Sequence, residues 1–294
     1  MMLEILVYPG VLFILIASML YSGILRKLAA RMQNRKGPPV WQPFWDFIKL
    51  LSKDTIQPEQ ARPGYNLWPT LGFVSVLVAA LAIPIGGMAA LNVPGDLIIV
   101  VYFLSFGSMC LYMSGLSSAN PFGVIGAMRG ITQMVGYEFP FLASLITVAV
   151  ARGTLSLWNI NFFQVNYGYL AFWYPFAFIA FFIAMIAKAE IPPFHTPTAH
   201  QEIVSGYYTE YSGTNLAMIE LTHYIKLFAL LALGVAVFFG GSATIWGFLL
   251  KTLVLLFAVV VFRVVMARLR IDQVFRLTWF FGIVALVDLV RVLL

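Results

Sequence analysis

The sequence predicts an all-α integral membrane protein: a polytopic bundle of about eight transmembrane helices plus one cytoplasmic amphipathic helix. Two observations carry this reading. Apolar residues fill 61% of the 294 positions and charged residues only 10%, whereas soluble domains hold roughly half apolar and about a quarter charged residues. Eight segments also approach the ~20 apolar residues that cross a ~30 Å hydrocarbon core. They are residues 3–25, 67–91, 97–118, 131–150, 170–187, 216–239, 245–265 and 277–294. The connections are too short to fold separately, so residues 1–294 read as a single integral membrane domain.

The first segment follows MMLE, without a basic n-region or an A-x-A-like cleavage site, and reads as a retained span. The net charge of +6 could suggest nucleic acid, but its carriers lie mostly between apolar spans. Membrane topology explains them, and nucleic acid is excluded as a partner. The loop after the first span holds Arg26, Lys27, Arg31, Arg35, Lys36, Lys49, Lys53 and Arg62. Arg129 precedes the fourth span, and Arg268, Arg270 and Arg276 precede the eighth, while the alternate loops hold only Arg152. The positive-inside rule places the Arg-rich loops in the cytoplasm of a multi-pass cell-membrane protein and both termini outside.

Within the first loop, WQPFWDFIKLLSKD (41–54) repeats Trp41, Trp45 and Ile48 at helical spacing, with Asp46, Lys49 and Lys53 on another face. This amphipathic helix is expected to lie in the interface as a lipid anchor or as a docking shelf for a cytoplasmic partner. The docking candidates are Arg35, Lys36, Trp41, Asp46 and Lys49.

Ionisable groups inside a membrane are costly and are functional candidates by default. At 1.5 Å per residue, Glu138 lies roughly 11 Å into the fourth span, Lys226 roughly 15 Å into the sixth and Asp288 roughly 17 Å into the eighth. Lys251 is nearer the outside and could serve as a lipid-facing anchor. Glu220, His223 and Lys226 recur at i, i+3, i+6, successive members about 60° apart on one side of the helix. Such a face can pass a proton or a change of field, or be a static ion-paired seam. On the fourth span, Glu138 points away from the Arg129, Gln133 and Tyr137 stripe and requires a partner on another helix.

Four of the twelve acidic residues (Glu190, Glu202, Glu210, Glu220) and all three histidines (His195, His200, His223) fall within residues 190–226. Pro192, Pro193, Pro197, Gly206 and Gly213 prevent a spanning helix at 190–213. Irregular backbone at membrane depth must be buried in protein or line a wet cavity, unless this stretch is an ordinary cytoplasmic loop. The loop histidines His195 and His200 do not match a zincin spacing, and Pro197 interrupts their register, so no metal site is expected. The lone Cys110 offers no thiolate cluster, and no cofactor is expected in this chain.

The runs GPPVWQPFWDFIKLLSKD (37–54), MRGITQMVGYEFP (128–140) and QEIVSGYYTEYSG (201–213) occur in that order. Together they resemble the eight-helix H subunit of the membrane arm of respiratory complex I and its relatives in energy-converting membrane-bound hydrogenases. The resemblance implies a non-redox component that joins a peripheral electron-transfer arm to antiporter-like and small membrane subunits. It also implies that Glu138, Glu202, Glu210 and, more loosely, Glu190 belong to an ion path, with Asp46 the acid after Gln-Pro. Iron-sulfur clusters, and a nickel-iron centre in the hydrogenase branch, are implied in the partners, which would be hydrogenase-like large and small subunits.

Departures from the complex I pattern point to the hydrogenase and archaeal ferredoxin-linked branch. Only three residues separate Pro38 from Gln42, AEIPPFH lacks the usual arginine and aspartate, and His223 stands where an acid is usual, with Glu220 one turn earlier. The expected function is coupling of ferredoxin-driven redox chemistry, of hydrogenase or sulfur-reductase type, to H+ or Na+ translocation. The expected relay is Glu138, Glu190, Glu202, Glu210, Glu220, His223 and Lys226. The alternatives are a quinone-chamber component of a complex I, an autonomous secondary transporter and a purely structural anchor.

Overall fold

The structure is a computed structural model that describes residues 6–91 and 93–294, the His200 side chain excepted. The first expected span begins at residue 3, and residues 3–5 lie outside the described residues. Among the described residues there are twelve α-helices and no strand. They are α1 (Val11–Met32), α2 (Gln42–Leu51), α3 (Leu67–Leu81), α4 (Asp96–Ser117), α5 (Pro121–Arg152), α6 (Leu157–Tyr167), α7 (Leu170–Trp173), α8 (Pro175–Lys188), α9 (His200–Ile203), α10 (Gly213–Val237), α11 (Ile245–Val265) and α12 (Ile271–Leu293).

Six of these helices are long and apolar enough to cross a membrane: α1, α4, α5, α10, α11 and α12. The other two expected spans are short apolar helices, α3 and α8. Hydropathy extends the second span to residue 91, but Pro84, Gly86 and Gly87 end α3 at Leu81. The chain then folds back, pairing Ile85 with Met88 and donating Leu91 N–H to Leu81 O at 3.1 Å. Ala82, Ile83 and Ile85 are each 1% exposed, so this irregular backbone is enclosed by protein, as membrane depth demands.

The fifth span breaks at Tyr174, where Pro175 begins α8. The helix α6 and the single turn α7 precede it, and hydropathy gives no sign of α6. The fourth span is longer than expected. Asn120 caps it by accepting Phe122 N–H at 2.8 Å, Pro121 suits the first turn, and the helix runs 32 residues. Arg129, expected in a loop, is therefore on α5.

The middle of the bundle is α10, whose apolar window is 78% buried, against 33% for α11 and 28% for α12. It packs on α1, α3 and α11, and its apolar residues on several sides, from Ile225 to Phe238, enter the main core. His223 and Lys226 on α10 are thus enclosed by protein rather than lipid. On the opposite side of the bundle α12 packs along α5 and α8, with Phe139 reaching Trp279 at a ring separation of 5.2 Å. The face of α11 bearing Trp246, Leu250, Val254 and Phe257 stays exposed, 52–79%.

Two ionisable residues noted in the sequence serve helix ends. Asp288 on α12 is 1% exposed and its Oδ2 accepts Ala177 N–H at 2.9 Å, satisfying a free donor in the first turn of α8. Lys251 is not a lipid-facing anchor. Its Nζ donates to Gly240 O and Gly241 O at 3.2 and 2.6 Å, where α10 has ended and carbonyls lack helical partners.

Candidate ion-relay site

The segment between α8 and α10 folds inward and carries Glu190 to the side of α10. Gly206 fixes its close approach: its φ is +64°, and a Cβ there would lie 2.0 Å from Pro197 O. Gly126 on α5 likewise leaves room for the backbone of Gly206 and Tyr207. Tyr207 is thereby inserted, fully buried, between α4 and α10, edge-on to Tyr112 at 5.6 Å.

The first ion pair joins Glu190 Oε1 to Lys226 Nζ at 2.9 Å, with side-chain exposures of 3% and 0%. Tyr112 donates to Glu190 Oε1 at 3.1 Å and Tyr207 to Oε2 at 2.8 Å. Tyr207 Oη is also 2.8 Å from His223 Nε2. A phenol has one proton, so when Tyr207 donates to Glu190 its oxygen accepts, and His223 carries its proton on Nε2. His223 and Lys226 of the expected helical face are therefore connected through Tyr207 and Glu190, which come from the irregular segment, rather than along α10 itself, while Glu220 lines the neighbouring cavity.

The second pair answers the requirement for a partner to Glu138. Lys188, at the end of α8, places Nζ 2.6 Å from Glu138 Oε1 and 2.8 Å from Ser105 Oγ. Ser105 also lies 2.8 Å from the same carboxylate oxygen. One turn along α4, Ser108 Oγ accepts from Lys226 at 3.4 Å. The two serines thus stand between the pairs, and the order is Glu190, Lys226, Ser108, Ser105, Lys188, Glu138. Lys188 is 0% exposed, whereas Glu138 keeps 18% of its side chain open at the α4–α5 surface. The row runs from the centre of the bundle to its side.

At the other end lies a cavity of about 330 Å3, lined by Arg26, Glu190, Tyr208, Glu220, His223 and Arg263 among others. Arg26 donates to Tyr224 Oη at 2.8 Å and approaches Asp46 Oδ2 at 3.4 Å, and Gln42 donates to Asp46 Oδ1 at 2.8 Å. Asp46 accordingly faces inward and ties α2 to α1. Arg35, Lys36, Trp41 and Lys49 are exposed, as a docking surface requires.

Glu202 and Glu210 are separate from this row. Arg129 hydrogen-bonds Glu202, and Arg268 lies 3.5 Å from its other oxygen. The Arg129 hydrogen bond is the main reason that its carboxyl is held below the usual range; slight burial opposes this, and Arg268 and His195 add to it. Asn120 donates to the Glu210 carboxylate, and Tyr65 donates to the Glu210 carbonyl at 2.7 Å. Glu202 ties the middle of the irregular segment to α5 and to Arg268, and Glu210 ties its end to Asn120 and Tyr65. Among the described residues no three His, Cys, Asp or Glu side chains are gathered as a metal site.

Lys188, Ser105, Ser108, Tyr112, Tyr207 and Arg26 do not stand out in the sequence as site residues. A lysine just past an apolar run reads as an interfacial anchor; only the break at Pro175, which shortens α8, reveals that Lys188 is buried. Its position two residues before Glu190 is the one signal available.

The chain matches the NADH dehydrogenase family over residues 4–293. It is 35% identical over 284 residues to the H subunit of the NADH-quinone oxidoreductase of Protochlamydia amoebophila, covering 88% of this chain and 86% of that one. It is 34% identical over 275 residues to NADH-ubiquinone oxidoreductase chain 1 of Chondrus crispus, with coverages of 86% and 84%. Among solved structures it resembles a chain of the membrane-bound sulfane sulfur reductase, an archaeal respiratory membrane complex, with a TM-score of 0.90, 27% identity and 96% of each chain covered.

Proposed function

Because this chain belongs to the NADH dehydrogenase family and groups with its H subunits, we propose that it is the non-redox membrane component of an ion-translocating oxidoreductase complex. Its role is to anchor the peripheral arm and couple that arm's electron transfer to H+ or Na+ movement. The observation that carries this reading is the two interior glutamate–lysine pairs, Glu190–Lys226 and Glu138–Lys188, whose lysines reach Ser108 and Ser105 one turn apart on α4. A static seam would need only one well-packed pair. Two pairs in series allow a change at Glu190 to alter the balance at Lys226, then Lys188, then Glu138.

The peripheral arm would dock over α2 and the segment after α8, both termini lying on the opposite, outer side. Charge arriving there reaches Glu190 through the wet cavity and the His223–Tyr207 link. Glu138 then presents the change to an antiporter-like neighbour. Moving one charge across 100 mV takes about 2.3 kcal/mol, which a pKa displacement of about 1.7 units supplies at 1.36 kcal/mol per unit.

The electron donor we favour is ferredoxin, with a hydrogenase- or sulfur-reductase-type arm carrying the iron-sulfur clusters. The fold shared with a sulfane sulfur reductase chain and the charged cavity lining both support this. The second reading, a quinone-chamber component, draws on the relatives that are chains of NADH-quinone and NADH-ubiquinone oxidoreductases. The test is the purified complex in sealed proteoliposomes, supplied with reduced ferredoxin or with NADH and a short-chain quinone. Ferredoxin-driven ion uptake insensitive to quinone-site inhibitors supports the first reading. Activity only with NADH and quinone transfers it to the second, and ion uptake unchanged by Glu190→Gln removes the relay from either.

A further inference from the structure

A second polar cavity, about 390 Å3, opens beside the relay on the same side of the bundle as the segment after α8. It is lined by Arg129, Thr196, Glu202, Arg268, Arg270 and the first residues of α12. Three guanidinium groups there face two carboxylates, Glu202 and Asp272. Glu202 is shared by Arg129 and Arg268, while Arg270, exposed at the start of α12, forms no ion pair among the described residues. Each guanidinium has five N–H donors in a fork that fits phosphate oxygens, and among the described residues Arg129 and Arg268 spend theirs on Glu202 alone. The first N–H groups of the 23-residue helix α12 add their partial positive charge.

What lies beneath the cavity identifies the occupant. Trp279 and Ile283 each lie within about 20° of Asp272 around α12, at 100° per residue. Trp279 is 43% and Ile283 58% exposed, and Val287 continues the strip at 55%. Phe139 and Phe275 flank Trp279 at ring separations of 5.2 and 5.3 Å. The order from the cavity downward is thus a basic pocket, an aromatic shelf and an apolar strip facing the bilayer. A polar headgroup, an interfacial level and an acyl chain have the same order. A soluble phosphate would use the arginines but not the strip.

We propose that this cleft binds the phosphate of an anionic phospholipid, whose acyl chain lies along Trp279, Ile283 and Val287. This is independent of the proposed relay. The test uses the intact complex in detergent, titrated with phosphatidylglycerol or phosphatidylcholine and read by native mass spectrometry. The variants are Arg270→Gln, Arg268→Gln/Arg270→Gln and Arg270→Lys.

The wild type should retain one more tightly bound phosphatidylglycerol than the double variant. Arg270→Gln should weaken that site about tenfold, and Arg270→Lys should stay within about threefold, because a point charge replaces a fork. Phosphatidylcholine binding should not change. An unchanged phosphatidylglycerol affinity in the double variant overturns the proposal. Displacement of the lipid by millimolar inorganic phosphate would make this a free-anion site, and a photocrosslink from a partner chain to a photoreactive side chain placed at position 270, with no lipid retained, would make it a protein contact. Either result overturns the lipid reading. The unfolding temperature, measured alongside, should be the same for Arg270→Gln and wild type, since Arg270 is exposed.

Discussion

Lys226 Nζ and Glu190 Oε1 lie 2.9 Å apart in the interior of the bundle, one on the central helix α10 and the other on an irregular segment that folds in to meet it. A charge on either alone would be expensive at that position, so each residue determines the state of the other. Glu190→Gln should therefore leave Lys226 uncompensated and destabilise the protein by about 3–5 kcal/mol. The double change Glu190→Gln/Lys226→Met should recover most of that stability without recovering ion transport. Denaturation in detergent and proteoliposome uptake, measured together, separate the two roles. If the double variant pumps normally, the pair is a packing device.

Glu138 and Lys188 should behave differently because Glu138 keeps partial access to the side of the bundle. In Glu138→Gln the amide oxygen can still accept from Lys188, so assembly should survive. Ion uptake per electron should fall at least tenfold. Lys188→Met should mimic this loss and also lower the unfolding temperature, since it leaves Glu138 without its cation and removes the ammonium from over the Tyr137 and Phe141 rings. Normal uptake in both variants would exclude the lateral route.

Asp288 offers a contrasting case of a buried acid with a structural task. Its Oδ2 accepts the Ala177 N–H at the start of α8. Asp288→Asn preserves an acceptor oxygen and should be nearly neutral, whereas Asp288→Ala should lose about 0.5–2 kcal/mol, the usual value of a helix cap. Neither should change the ratio of ions moved to electrons transferred. A changed ratio in Asp288→Asn would assign Asp288 to transport instead.

These cases also mark how much is legible in the sequence. Hydropathy locates the eight apolar segments and an all-α membrane fold, because a bilayer forces long apolar runs. It misplaces the ends of α3 and α8, since buried turns at Pro84 and Pro175 are apolar as well, and the start of α5, whose first turns after the Asn120 cap are less apolar. The concentration of acids and histidines at 190–226 is visible, and so is the need of Glu138 for a partner on another helix. The partner itself is not, because Lys188 and Glu138 meet only through packing of α8 on α5. Helical periodicity groups Glu220, His223 and Lys226 on one side of α10 but cannot show that Tyr207 and Glu190 connect His223 to Lys226. Asp46 reads as a docking acid, and pattern alone does not reveal that it also pairs with Arg26 of α1.

The Glu202 contacts lead to a pH prediction for the segment after α8. A carboxyl held below its ordinary value of 4.5 contributes stability that is fully present above that value. The contribution is lost as pH falls through the lowered value in the folded state. The tie from Glu202 to Arg129 and Arg268 should therefore be constant from pH 5 to 8 and should loosen only in acid, below about 4.5. Hydrogen exchange across residues 190–213 reads this directly. Wild-type protection should be flat near neutrality and fall in acid toward the level of Glu202→Gln, which should be low and unchanging over the same range. Because Glu202 is 49% exposed, molar salt should also weaken the tie at neutral pH. A transition between pH 6 and 7 in the wild type would contradict this account and would assign control of the segment to a group other than Glu202.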